Sequence, residues 1–431
     1  VFKSESMPRK DLEDLQSERL VALIERLGRV DSPYWKEKLS EAGPVSSTKD
    51  IVNLPFTYKD EFRATYPTGM LATDLSEVVR FHASSGTSGK PTIVAYTSED
   101  VSLFAELNAR AMAAAGGTSD DIVHNAYGYG LFTGGLGLHY GSEYLGAGTV
   151  PASGGNPNFQ IGLIVDMGAT GLASTPSFSM LLAERAAEMG VLHKIKLRWG
   201  IHGAEPWSEG FRQKLEEAWG GNYDGCDLYG LSEIIGPGVA SECRENKGGL
   251  HIAEDHFFAE IVDPETGEPV PDGEQGELVL TTLTKRAHPV LRYRTRDLTR
   301  FLEDGCRCGR TTRRMGRLEG RADDMLIIRG INIHPRVVES IVLDDPDIGG
   351  NYAIIVDKRT TLPELEVRLE LADDRLKESR DAIAERIQKR LWESVRIRIG
   401  VDLRDPGAIP RPELGKARRV FERTTDEDPV R

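Results

Sequence analysis

At 431 residues, with 39% hydrophobic and 28% charged side chains, the chain has room for two or more globular domains of ordinary soluble composition. Its formal charge of -14 argues against non-specific nucleic-acid binding, because a polyanion would be repelled. No run of eighteen apolar residues occurs, no signal-like stretch opens the chain, and four cysteines are too few for a disulfide framework, so no membrane partner and a cytoplasmic location are expected.

Leu20, Leu23, Ile24 and Leu27 recur at helical spacing and predict an amphipathic helix over 11–28. Pro33-Tyr34-Trp35 opens a second, short helix. Both read as packing scaffold. The chain then reaches Ser84-Ser85-Gly86-Thr87-Ser88-Gly89-Lys90-Pro91-Thr92, whose glycines, hydroxyls and single lysine make a donor-rich loop suited to phosphate oxygens. It departs from the G-x-x-x-x-G-K-[ST] loop, since Ser84 stands at the first glycine and Pro91 follows the lysine. Apolar residues on both sides predict a strand–loop–strand arrangement, with a plain Gly/Ser surface hairpin as the alternative.

A helix is expected over 98–115, with Ser98 as its N-cap and Gly116-Gly117 closing it. Between 125 and 141 glycines interleave with aromatics. Either a flat ligand approaches the backbone there, between walls such as Tyr127, Phe132 and Gly135, or a glycine-rich helix packs tightly on a neighbour; both can hold. From 148 to 219 helix and strand alternate, with strands near 172–175 and 195–200. This predicts an α/β fold with parallel sheets and ligands beyond the carboxyl ends of strands. Strand–turn–strand patterning over 257–282 implies a small β subdomain. After Gly320 the pattern resets to a small α+β module, so the domain boundary is placed at Gly320-Arg321, giving 1–320 and 321–431.

Three further stretches carry chemistry. Asp227-Leu228-Tyr229-Gly230-Leu231-Ser232-Glu233 has a tyrosine to stack on adenine, Asp227 to accept from its amino group, and Glu233 to hold Mg²⁺ against phosphates. The plain reading is a capped helix start. Gly203-Ala204-Glu205-Pro206 is a turn after a strand that fits a purine edge. Tyr293-Arg294-Thr295-Arg296-Asp297, next to Arg292, offers an aspartate for ribose hydroxyls, against a solvated ion-pair cluster as the alternative. Near the end, Lys416 follows the loop Ile409-Pro410-Arg411-Pro412-Glu413-Leu414-Gly415, placed either at the surface or against an α-phosphate. Cys243, His251, Cys306 and Cys308 match a structural Cys₃His zinc site in ligand type, though Cys-x-Cys is tight spacing; four unrelated reduced residues are the alternative. Cys226 reads as a core cysteine.

In order and spacing, these motifs resemble the acyl-adenylate-forming superfamily, and more narrowly the phenylacetate–CoA ligase family, nearly end to end. The resemblance implies ATP, Mg²⁺ and coenzyme A, and an aromatic carboxylic acid as substrate. It implies two steps: adenylation of the carboxylate, then thioester formation. On it, Ser84 to Lys90 hold phosphates, and Ala204, Glu205, Pro206, Asp227, Leu228, Tyr229, Gly230 and Ser232 frame adenine. Asp297 and Arg321 take the ribose, Glu233 binds Mg²⁺, and Lys416 promotes adenylation. The small domain swings about Gly320 and Arg321. The acid pocket draws on Tyr127, Phe132, Gly135, His202, Gly203, Gly230 and Leu231, with His202 and His139 read either as ring-substituent contacts or, preferably, as structural residues; phenylacetate, benzoate and anthranilate types stay open. An adenylating enzyme that stops at AMP transfer or passes the acyl group to a carrier protein, and a catalytically dead regulatory or zinc-binding relative of the fold, are the competing readings. A homodimer is the family expectation.

Overall fold

Nine strands build the central sheet of the computed structural model. Four parallel neighbours to Gly148–Val150 (Ile122–Asn125, Gly171–Ser174, Trp199–Gly203 and Asp224–Leu231) lead into antiparallel Gly236–Ser241, Gly249–Ile252, Arg314–Gly316 and Phe301–Leu302. Gly171–Ser174 and Trp199–Gly203 are buried along their whole length, as parallel strands covered on both faces must be. The second of these begins at Trp199, later than the sequence pattern suggested. Its indole occupies space that only Gly171 and Gly117 leave: an added Cβ would come within 2.4 and 2.8 Å of the ring.

The structure describes residues 2–84, 91–323, 326–328, 331–359, 363–373, 379–410 and 418–430. The expected phosphate-loop residues Ser85, Gly86, Thr87, Ser88, Gly89 and Lys90, and the expected catalytic Lys416, lie outside the described residues. The loop's flanks are the expected strands: Val78–Ala83 pairs antiparallel with Ile93–Thr97, and the Ser84 N–H donates to the Thr92 carbonyl at 3.0 Å.

The following helix, Ser98–Ala114, is capped by Thr97 rather than by Ser98. Thr97 Oγ1 accepts from the Asp100 N–H while Asp100 Oδ2 accepts from the Thr97 N–H, which satisfies two end donors at once. The glycine-rich stretch forms the helix Thr133–Leu145 and packs on Ser98–Ala114. A Cβ on Gly137 would lie 2.3 Å from Phe104, and one on Gly141 2.4 Å from Asn108. Those glycines serve close helix packing, whereas Gly128 and Gly130 face open space.

A four-stranded sheet, Phe257–Val262, Gly276–Thr282, Tyr293–Thr299 and Gly320–Arg321, forms the β subdomain. Beyond it lie a short hairpin, Leu326–Ile328 with Ile331–Ile333, and a mixed sheet ordered Ile399–Arg404, Glu364–Leu371, Ile348–Asp357, Val420–Arg423. Helices Pro335–Leu343 and Arg380–Val395 accompany that sheet. One apolar cluster runs from Ile161, Trp207 and Phe211 into Val338, Leu343 and Tyr352, so the C-terminal module shares core with the central sheet's helices. Lys214 Nζ donates to the carbonyls of Asp345 (2.8 Å) and Ile348 across that seam.

A buried ion pair locks the middle of the sheet. Arg212 donates to Glu242 Oε1 at 2.7 Å with neither side chain exposed, and Glu242 also accepts from the backbone N–H of Asp227 and Gly248. Removing one member of such a pair strands the other in low dielectric. Glu242→Ala should therefore destabilise the fold by about 3–5 kcal/mol, read as a lower urea midpoint; a loss below about 1 kcal/mol, the scale of a surface pair, would contradict the assignment.

Candidate functional site

Asp297 is the node of the site. It sits on Tyr293–Thr299, buried, with Oδ2 accepting from Tyr229 Oη at 2.7 Å and Oδ1 accepting from the Arg321 guanidinium at 3.0 Å. One carboxylate thus joins the central sheet, the β subdomain and the start of the C-terminal segment. Two of the arginines around it are buried in pairs of their own, Arg292 against Glu260 and Arg294 against Glu277, each at hydrogen-bond distance, whereas Arg296 is half-exposed. Burial and the facing Asp297 charge push the Tyr229 phenol well above its ordinary range, so it stays a donor.

The strand Asp224–Leu231 delivers Asp227, Leu228, Tyr229 and Gly230 in sequence; the helix-start alternative is not what forms. Ser232 and Glu233 follow in a turn. Desolvation, then the nearby Glu242 charge, raises the Asp227 carboxyl above its usual range. Glu233 is buried. Its Oε1 has no hydrogen-bond partner among the described residues, with Lys59 Nζ at 3.3 Å as an ion-pair neighbour. The Lys59 ammonium partly compensates that buried oxygen, and the carboxylate's remaining lone pairs would suit a hard divalent ion.

Across the sheet ends, Ala204 takes a left-handed backbone (φ +70) directly after Trp199–Gly203. Glu205 then turns back to accept from the Ser177 hydroxyl (2.9 Å) and N–H (3.2 Å). Ser177, Glu205, Pro206 and Trp207 line a cavity at the module seam with Phe211, Glu339, Tyr352 and Arg419. Tyr127 closes the other side: its hydroxyl accepts from the Gly203 N–H (2.8 Å) and donates to the Gly203 carbonyl (3.2 Å). Phe132 and Ala204 pack against the same apolar cluster as Tyr127.

The glycines expected in the acid pocket are packing glycines. A Cβ on Gly203 would meet the Leu228 carbonyl at 2.3 Å, one on Gly230 the Gly236 carbonyl at 1.9 Å, and one on Gly135 the Gly128 carbonyl at 2.5 Å. Leu231 ends its strand half-buried beside Gly236. His202 is fully buried with Nε2 on Tyr223 Oη (2.8 Å) and Nδ1 on the Ser174 carbonyl (3.0 Å). Desolvation lowers its pKa to about 4, so it is a neutral wall residue with both nitrogens engaged. His139 lies between Tyr129 Oη and Glu143, each at 3.2 Å.

The four expected metal-type residues do converge. The donor atoms of Cys243, His251, Cys306 and Cys308 all lie within 4.8 Å of one another. Cys243 Sγ is 3.4 Å from Cys306 Sγ, and Cys308 Sγ is 3.4 Å from His251 Nε2. The tetrahedral edges expected for zinc with sulfur and nitrogen ligands are roughly 3.5–3.8 Å. His251 Nδ1 is held by Thr312 Oγ1 at 3.2 Å, which turns Nε2 inward. Cys226 is a core residue, as expected.

Family models match residues 9–283 as an AMP-binding enzyme and 330–424 as an AMP-binding enzyme C-terminal domain. A curated phenylacetate–coenzyme A ligase of Thermus thermophilus is 45% identical over 439 residues, covering 97% of this chain and 98% of that protein. The chain belongs to the AMP-binding enzyme family. Among solved structures, a 2-hydroxyisobutyryl-CoA ligase in its post-adenylation state, 26% identical, superposes with a TM-score of 0.90 over 98% of this chain and 91% of that one. The same ligase with CoA in its thioesterification state superposes at only 0.72, covering 97% and 91%. This AMP-binding enzyme thus superposes better on that ligase's post-adenylation structure than on its thioesterification structure.

Two lysines of the site carried no signal in the sequence. Lys59, before the first sheet, pairs with Glu233, and Lys285 is fully buried with Nζ 3.3 Å from the Glu233 carbonyl and 5.3 Å from the Tyr96 ring centre. Desolvation lowers the Lys285 pKa to about 8. Each reads in sequence as a surface charge, and only the fold brings it to Glu233.

Proposed function

We propose that this enzyme is an ATP-dependent aryl-CoA ligase that converts a flat aromatic carboxylic acid to its acyl adenylate and then to its coenzyme A thioester. The observation that carries the reading is 45% identity, over nearly the whole of both chains, to a phenylacetate–coenzyme A ligase. In the first step a carboxylate oxygen attacks the α-phosphorus of ATP and pyrophosphate leaves. Ser84 and residues 85–90 hold the phosphates, while Ala204, Glu205, Pro206 and Tyr229 frame the adenine. Asp297, fixed by Tyr229 and Arg321, accepts from the ribose hydroxyls. Glu233 would hold Mg²⁺, which when bound would supply neutralisation of phosphate charge. Lys416 offsets the charge that builds on the α-phosphoryl group, a contribution typical of positioned cations.

In the second step the CoA thiol displaces AMP. The module from 321 onward swings about Gly320-Arg321 to make room. Gly320 has φ +146, a backbone that side-chain-bearing residues avoid, and Asp297 anchors the adjoining Arg321. The open space beside Gly128 and Gly130, near Tyr127 and Phe132, supports a planar ring in the pocket. Pyrophosphate release from MgATP, measured across phenylacetate, benzoate, salicylate, anthranilate and 3-hydroxyanthranilate with and without CoA, should single out one acid that yields a thioester. Pyrophosphate without thioester would point to a carrier-protein acceptor, and silence across the panel would overturn the aryl-acid assignment.

We also infer a structural zinc ion on Cys243, His251, Cys306 and Cys308, which tie the end of the strand Gly236–Ser241 to the loop before Arg314–Gly316. The convergence of three sulfurs and one oriented imidazole supports it. Chain purified without chelator should contain about one zinc per molecule, and Cys308→Ser should lose the metal and melt at lower temperature. Metal at background in the parent chain would refute the site.

A further inference from the structure

Very little holds Lys285 in place. Its side chain is 0% exposed, yet among the described residues Nζ has one hydrogen bond, to the Glu233 carbonyl at 3.3 Å, and one ring contact, to the Tyr96 centre at 5.3 Å. An ammonium taken out of water with so few partners is a cost in folding. Desolvation lowers its pKa to about 8, which still leaves it protonated at neutral pH. Tyr96 meets the same stretch of chain. Its hydroxyl, also on a fully buried side chain, donates to the Ile235 carbonyl at 2.9 Å. The turn 232–235 follows the strand Asp224–Leu231 and carries Glu233, itself 3% exposed. Two carbonyls of this turn, those of Glu233 and Ile235, are thus held by Lys285 and Tyr96.

The pair stands on a rigid base. Asp100, in the first turn of Ser98–Ala114, accepts from the Arg286 N–H at 2.7 Å and the Ala287 N–H at 2.9 Å, beside its capping bond from the Thr97 N–H. His288 Nδ1 accepts from the Ala95 N–H at 3.0 Å, and the Ala287 carbonyl accepts from the Ala72 N–H at 2.9 Å. Segments 93–97 and 285–288 are therefore clipped together around Tyr96 and Lys285. The clips run through Asp100, His288 and the backbone, so none of them needs the Lys285 ammonium or the Tyr96 hydroxyl.

We propose that Lys285 and Tyr96 form a brace that fixes the turn 232–235 so that the Glu233 carboxylate meets a divalent cation carried by ATP. Both are on this account positioning residues that touch no substrate. The inference rests on the reading of Glu233 as the Mg²⁺ ligand. Groups that orient a metal ligand govern metal affinity by about tenfold or more. Charge alone would work the other way, because an ammonium beside the site repels a divalent cation and attracts the more highly charged metal-free nucleotide. Position and charge therefore predict changes of opposite sign.

The test measures ATP binding to the full-length enzyme by calorimetry, without acid so that nothing turns over, once with Mg²⁺ and once with EDTA. The Kd without metal divided by the Kd with metal isolates what Mg²⁺ adds. Lys285→Met, which keeps the side chain's length and removes its charge, should lower that ratio by about tenfold. Tyr96→Phe, which leaves every charge in place, should lower it by about threefold and carries the test if Lys285→Met does not fold. Glu233→Gln is measured alongside. If its ratio is parental, the underlying reading of Glu233 fails. If its ratio falls while a folded Lys285→Met stays at or above the parental ratio, the brace is overturned and that reading stands. Equal weakening of both Kd values in Lys285→Met would mark a general loss of structure and would also overturn the proposal.

Discussion

A single carboxylate, Asp297, ties together three parts of this molecule. Its two oxygens are taken by Tyr229 from the central sheet and Arg321 from the strand that leads into the C-terminal module. Charge-assisted hydrogen bonds of this kind are strong and directional, and they persist because the group is shielded from water. Displacing Asp297 would leave a buried phenol without its acceptor and free the start of the C-terminal segment. The same carboxylate therefore joins that segment to the central sheet.

The module arrangement follows from what crosses the seam. Trp207 and Phe211 on one side share apolar contact with Leu343 and Tyr352 on the other, and Lys214 caps the carbonyl end of the facing helix. Glu339, buried there, is raised to about 7 by desolvation, so it crosses the seam with its charge weakly held near neutral pH. The seam thus combines a shared apolar core with a polar-lined cavity and buried ionisable groups.

Much of this was legible in the sequence where chemistry is local. The strands around residues 85–90, the turn after Trp199–Gly203 and the run from Asp227 to Glu233 depend on short spacings that turn geometry preserves, whereas Cys243, His251, Cys306 and Cys308 were legible by ligand type across a gap of more than fifty residues. The glycines of 125–141 were half legible. Their helix was readable, but whether each glycine admits a ligand or a neighbouring helix depends on Phe104 and Asn108, which lie on another element. Pairings across tens of residues left no trace. Nothing in the local pattern distinguishes Glu242 or Lys285 from surface residues, because their partners are set by which elements become neighbours. For His202 two readings stayed open in the sequence, a ligand contact or a structural residue, and its bonds to Tyr223 and Ser174 favour the structural one.

The most direct test of the account is a crystal structure of the chain with the non-hydrolysable acyl-sulfamoyl adenosine of its preferred aromatic acid. The account predicts ribose hydroxyls within hydrogen-bond distance of the Asp297 carboxylate, adenine between Tyr229 and the Ala204–Pro206 turn, and the aromatic ring beside Tyr127 and Gly128. A nucleotide bound elsewhere, with Asp297 still closed on Tyr229 and Arg321 and no contact to the ribose, would contradict it.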